Sequence, residues 1–157
     1  MDMTPLILSL KAAAVATVLV ILTGIPVSYL AARMKRGKSI VDVICTLPMV
    51  LPPTVVGFFL LLLFGKNSML GAWLMAHGIP VVFSQTGMVI ASAVVSFPLL
   101  YRTARGAFEQ VNPDVLSAGR TLGMSEWSIF FRVMIPNALP GIISGGVLAF
   151  ARGLGEF

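Results

Sequence analysis

The sequence predicts an all-α, polytopic membrane protein, and three observations predict it. Of 157 residues, 57% are hydrophobic and only 11% are charged, where a soluble domain carries about 25% charged residues to wet its surface. The mean hydropathy is +0.97. The apolar residues are gathered into four long stretches with hardly a charge inside them. Helix is the form such stretches must take, because backbone groups in lipid have to be satisfied within the segment. The alternating pattern that a membrane barrel needs is absent.

Taken in order, the stretches are residues 12–32, 43–65, 87–108 and 133–151. A helix needs about 20 apolar residues to cross the hydrocarbon core, so each is read as a span. The first is not a secretory signal. Its run exceeds the roughly 7–15 residues of a signal core, and its basic cluster follows the run instead of preceding it. Pro26, Pro48, Pro52, Pro53 and Pro98 fall inside spans. Each would cost about 3 kcal/mol in a soluble helix, but neighbouring helices and water can satisfy the freed carbonyls of a membrane bundle. A bent, transporter-like bundle is expected.

The net charge of +5 does not point to nucleic acid, because Lys and Arg sit at the ends of apolar runs and not along one face. Arg33, Lys35, Arg36 and Lys38 follow the first span. Lys66 alone follows the second, and Arg102, Arg105, Arg120 and Arg132 lie around the third connection. The positive-inside rule then places the two basic segments in the cytoplasm, the N-terminus outside and Phe157 near the external face. Cys45 is the only cysteine, which excludes a disulfide framework, and His77 has no second His or nearby carboxylate for a metal. No zinc motif, Ser–His pair, carboxylate pair or phosphate-binding loop is present. The chain is therefore read as a non-enzyme without cofactor or metal, and any ATP hydrolysis belongs to a partner.

The most informative stretch lies between the third and fourth spans, in residues 109–132 and the start of the helix beyond. Asn112-Pro113-Asp114 is a helix start: a capping side chain, proline at the first helical position, and an acid at the positive end of the dipole. Gly123 supplies a stop. Ser125 and Glu126 start a second helix that runs through Trp127, Ile129, Phe130, Phe131 and Val133 to Pro136. A short helix held between two spans suits docking into a groove on a soluble partner; a membrane-surface linker with no partner has the same pattern.

Here the chain resembles the permeases of binding-protein-dependent ABC importers, whose cytoplasmic loop reads Glu-Ala-Ala, three residues, Gly, nine residues, Ile-x-Leu-Pro. Ser117-Ala118-Gly119 stands three residues before Gly123, and nine residues separate Gly123 from Val133-Met134-Ile135-Pro136. The family's glutamate is replaced by Ser117 and its second alanine by Gly119. The resemblance implies that this loop docks into an ATPase subunit. Asp114, Ser117, Ala118, Gly119, Gly123, Val133, Ile135 and Pro136 are then the coupling residues.

The strings LPMVLPPTVVGFFLLLLFG (47–65) and LAFARGLGEF (148–157), with AARMKRGKSIVDVI (31–44), look like the molybdate permease subunit of such importers. Sulfate permeases share the second string. The resemblance implies a type I-like helical bundle, a homodimer of permease subunits, two ATPase subunits and an external molybdate-binding protein. Family members continue past Gly155-Glu156-Phe157 with an external loop and a further membrane helix, so the chain is expected to be a fragment or a truncated form. Tungstate or sulfate transport, or a non-transporting membrane scaffold, are the alternative functions.

Arg152 and Glu156 lie four apart at the end of the last span. They read either as an interfacial ion pair or, for Arg152, as a positive charge offered to the anion near the external mouth. Arg102 and Arg105 read as interface anchors or as pathway residues. Gly57, Gly145 and Gly146 are small residues that permit close helix approach.

Overall fold

The computed structural model describes residues 3–156. Its elements are helices throughout: α1 (Thr4–Arg33), α2 (Lys38–Val50), α3 (Pro53–Phe64), α4 (Met69–Ala76), α5 (Gln85–Glu109), α6 (Pro113–Thr121), α7 (Glu126–Ile129) and α8 (Ile135–Leu154). A π-helical turn, Phe130–Met134, joins α7 to α8 without a break. Among the described residues there is no strand. Phe157, expected near the external face, lies outside the described residues.

Three helices form the body, and α5 is its centre, packed on α1 along one side and on α8 along the other. The register shows their directions. Ala13 of α1 and Ser92 of α5 meet Gly153 of α8, Gly24 meets Leu100, and Tyr29 meets Phe108. Hence α1 and α5 run the same way and α8 runs against both. The end that holds Arg33, Lys38, Glu109 and Glu126 is called the basic end below.

The seam between α5 and α8 is narrow because small residues face each other. Ala138, Ile142, Gly145, Gly146, Ala149 and Gly153 form the buried stripe of α8. A methyl group on Gly145 would collide with Thr103 and Leu100, and one on Gly153 would stand 2.7 Å from Ser92 Oγ. Close backbone approach of this kind supplies dispersion contact, the main source of helix association in lipid. The buried Ser96 hydroxyl is turned back onto the Ser92 carbonyl of its own helix at 2.6 Å, while Ser92 Oγ is buried with no partner among the described residues. Ser28 Oγ instead crosses from α1 to the Tyr101 carbonyl at 3.2 Å.

The stretch 43–65 is not one straight helix. α2 and α3 meet at 111°. The cause is the Pro52-Pro53 pair, since a residue before proline is driven out of the helical region. Leu51 (ψ 141°) and Pro52 (ψ 142°) are both extended. Pro26, Pro48 and Pro98, by contrast, lie inside continuous helices. α2 buries no residue and α3 only Val56.

Outer faces are apolar, with Leu22, Leu30, Ile44, Val50, Phe58, Leu62, Ile143 and Val147 among the many large exposed hydrophobics. Lipid is the solvent that makes such a surface stable. Three helices are long and apolar enough to cross a membrane, Leu6–Arg33, Gln85–Glu109 and Glu126–Leu154, and the bent pair makes four if it counts as one span.

Candidate functional site

The segment after α5 is built by local chemistry at each joint. Asn112 Oδ1 accepts a hydrogen bond from the Asp114 amide at 2.8 Å, with Pro113 beginning α6 and Asp114 in its first turn. α6 ends in a double closure: the Met124 amide donates to the Gly119 carbonyl at 3.1 Å and the Gly123 amide to the Arg120 carbonyl at 3.0 Å. This is the Schellman arrangement, which needs the first of the two donor residues along the chain to be left-handed. Gly123 occupies that place with φ of +78°. Open space surrounds its would-be Cβ, so a side chain there is opposed by backbone strain and not by collision.

α7 begins at Ser125, whose Oγ accepts from the Ser128 amide at 3.2 Å. Five residues on, the π turn lets the Ile135 amide reach back to Phe130. It immediately precedes Pro136, which has no amide hydrogen and whose ring needs room from the preceding turn. The helix therefore carries through Pro136 instead of ending there, and the fourth stretch begins inside a helix that starts at Glu126.

One charged contact, undetected in sequence, pins this segment to the body. The Glu126 carboxylate accepts from Arg120 Nε at 2.7 Å, at the end of α6, and from Arg33 at 2.9 Å, at the end of α1. Glu126 raises the Arg120 guanidinium above its ordinary pKa, chiefly through the hydrogen bond. Arg33 also lies 5.2 Å over the Tyr29 ring, which packs on Phe108 and Phe130. Sequence reading saw in Glu126 only a helix start, because Arg33 is 93 residues away.

α6 itself rests chiefly on α7. Gly119 is buried there, and a methyl in its place would stand 3.4 Å from Ile129 and 3.5 Å from Met124. A larger group would lift α6 away. Ser117 is exposed and its hydroxyl donates to the Pro113 carbonyl at 3.0 Å. The outward face of α6 carries Val115, Ala118 and Leu122, at helical spacing, beside exposed Asp114. Leu122 is 82% exposed. Val133 and Ile135 are half-buried against the Phe108–Met134 core, and Pro136 is exposed.

A second cluster joins α2 to α5 at the basic end. Tyr101 donates to Asp42 Oδ1 at 2.6 Å, Arg105 pairs with the same carboxylate, and Glu109 takes both Arg105 and Lys38 at 2.7 Å. Only the Arg105–Glu109 pair, four residues apart, carries a sequence signal. At the opposite end Arg152 and Glu156 pair at 2.9 Å. Arg152 also lines a small cavity of about 160 Å³ at the α2–α3 bend. The structure thus joins Asp114–Pro136 in one segment and leaves Arg152 and Glu156 at the far end of α8.

A family model described as the inner membrane component of binding-protein-dependent transport systems matches residues 24–157. The chain belongs to this family. The match takes in α2 to α8 and the whole helix–glycine–helix segment. The family member is 45% identical to the molybdenum transport system permease protein ModB of Escherichia coli (strain K12) over 153 residues, 96% of the chain and 67% of that protein. It is 40% identical to ModB of Haemophilus influenzae over 159 residues, 69% of that protein. A sulfate transport system permease protein, CysW of Synechocystis, is 36% identical over 135 residues, 85% of the chain and 49% of that protein. The chain thus spans about two thirds of the two molybdenum permeases.

Proposed function

We propose that the chain is the transmembrane permease subunit of an ATP-driven importer for molybdate. The observation that carries this is the segment from Asn112 to Pro136: one side is pinned to the bundle through Glu126 and Ile129, while the apolar face of α6 is bare. A short exposed helix tied to two membrane helices is suited to entering a partner's groove and passing its movement on. The similarity to molybdenum permeases over nearly the whole chain supplies the substrate.

On this reading the spans are about 12–32, 43–65, 87–108 and 133–151, with the coupling segment 109–132 in the cytoplasm and the N-terminus outside. The permease works as a homodimer with two ATPase subunits and an external molybdate-binding protein. Asp114, one helical turn before Ser117 and exposed, supplies the negative charge that the absent glutamate would have given. Arg152 offers positive charge near the external mouth. Normal uptake by an Arg152→Ala variant of the complex would remove that role.

Uptake of radiolabelled molybdate into proteoliposomes holding permease, ATPase and binding protein tests the whole. ATP-dependent accumulation is expected, with a hundredfold excess of sulfate competing weakly. No accumulation, or equal displacement by sulfate, overturns the molybdate assignment. Gly123→Val should cost about 1–2 kcal/mol in the turn and lower substrate-stimulated ATPase activity, whereas Gly123→Asn, a residue that tolerates the left-handed region, should retain most of it.

A further inference from the structure

Beside the α5–α8 seam, near the basic end, lies a half-open cleft of about 680 Å³ bordered by α5, residues 110–112 and α8. Its lining is largely polar, unlike the lipid-type faces on either side of it along α8. Arg102, Gln110, Asn112, Asn137 and Ser144 meet there, where the neighbouring outward positions Leu139, Ile143 and Val147 are apolar. Among the described lining residues none is acidic.

Arg102 is seven residues before the end of α5, which places it about 10 Å along the helix from that end. An ionised group at such a depth is costly against lipid and persists where it meets water, a partner chain or an ion. Arg102 also borders the adjacent cleft of about 450 Å³ that contains Asp42 and Glu109. Those acids are already held by Arg105 and Lys38, and no described residue forms an ion pair with Arg102. Around it the Gln110 amide and the Ser144 hydroxyl carry donors, and Asn112 uses only its Oδ1, toward Asp114. The donor set is one fork-shaped cation with neutral N–H and O–H groups, a combination that matches a tetrahedral oxyanion.

We propose that this cleft is the inner vestibule of the anion path and that Arg102 is its anion contact, for a tetrahedral oxyanion dianion still carrying part of its water. The inference rests on the oxyanion-importer reading for its physiological ligand, while the anion site itself can be tested apart from transport.

The test uses the permease–ATPase complex in neutral detergent, with Cys45→Ser and Ser144→Cys introduced together. The rate of modification by an anionic and by a cationic methanethiosulfonate reagent is measured with and without tungstate. The anionic-to-cationic rate ratio is expected to fall about fivefold on Arg102→Gln, as removal of one nearby charge implies, and to be kept by Arg102→Lys. Tungstate should slow the anionic reagent in the parent and not in the Arg102→Gln variant. An unchanged ratio, or failure of the introduced cysteine to react at all, overturns the proposal. Slowing by phosphatidylglycerol but not by tungstate also overturns it, because it assigns the site to a lipid headgroup. If these results hold but the parent complex accumulates no molybdate, the proposed function fails and the anion cleft stands.

Discussion

The α5–α8 seam and the α2–α3 pair are both built of apolar helices, yet they are held in opposite ways. In the seam, glycine and alanine bring two backbones together along their length, and α8 buries six residues. α2 buries none and α3 one. The bent pair is fastened instead at the basic end, where Asp42 takes Tyr101 and Arg105 and Lys38 takes Glu109. The difference teaches that hydrophobicity alone positions nothing in a bilayer. Leu and Phe are as well solvated by lipid as by a neighbouring helix, so placement falls to close-packed small residues and to polar contacts.

The largest effect that would break this contrast is expected at Gly145. A Gly145→Leu change forces a side chain into Thr103 and the Leu100 backbone, and overpacking of this kind costs about 1–3 kcal/mol or more. Thermal unfolding of the detergent-solubilised complex should shift down by several degrees, and an unchanged midpoint would mean the seam is looser than described. A smaller, local effect is expected at Asp42. Asp42→Asn removes the charge that Arg105 and Tyr101 share, worth about 1–2 kcal/mol at a partly exposed site. Hydrogen exchange should then rise in α2 while α5 and α8 keep their protection. Uniform exchange across all three would show that the clasp supports the whole bundle. The smallest effect belongs to α3: Phe58→Leu trades one exposed apolar side chain for another and should leave the unfolding midpoint within about a degree.

Much of the local structure was legible beforehand. The cap at Asn112, the stop at Gly123 and the restart at Ser125 all follow from side-chain chemistry acting within four residues, and the structure places each where that chemistry requires. The five span prolines together announced a bent bundle, but only the Pro52-Pro53 pair breaks a helix, while Pro26, Pro48 and Pro98 leave theirs unbroken. The π turn ahead of Pro136 was not legible, since a helix that must pass a proline can end, kink or widen and the choice depends on what it packs against. Here Ile129 and Met134 are both buried on the Phe108 core, which favours passing through.

Membrane residence, all-helical class and the helix–glycine–helix segment were determined by the sequence alone, because composition and neighbour-range hydrogen bonding decide them. Which arginine is spent and which is available was decided only by the tertiary structure. Arg33 and Arg105 find carboxylates 93 and 63 residues away, Arg152 finds one four residues on, and Arg102 borders an open cleft. Most of those partners are brought together by helices packing side by side, and no spacing along the chain encodes which helix lies next to which.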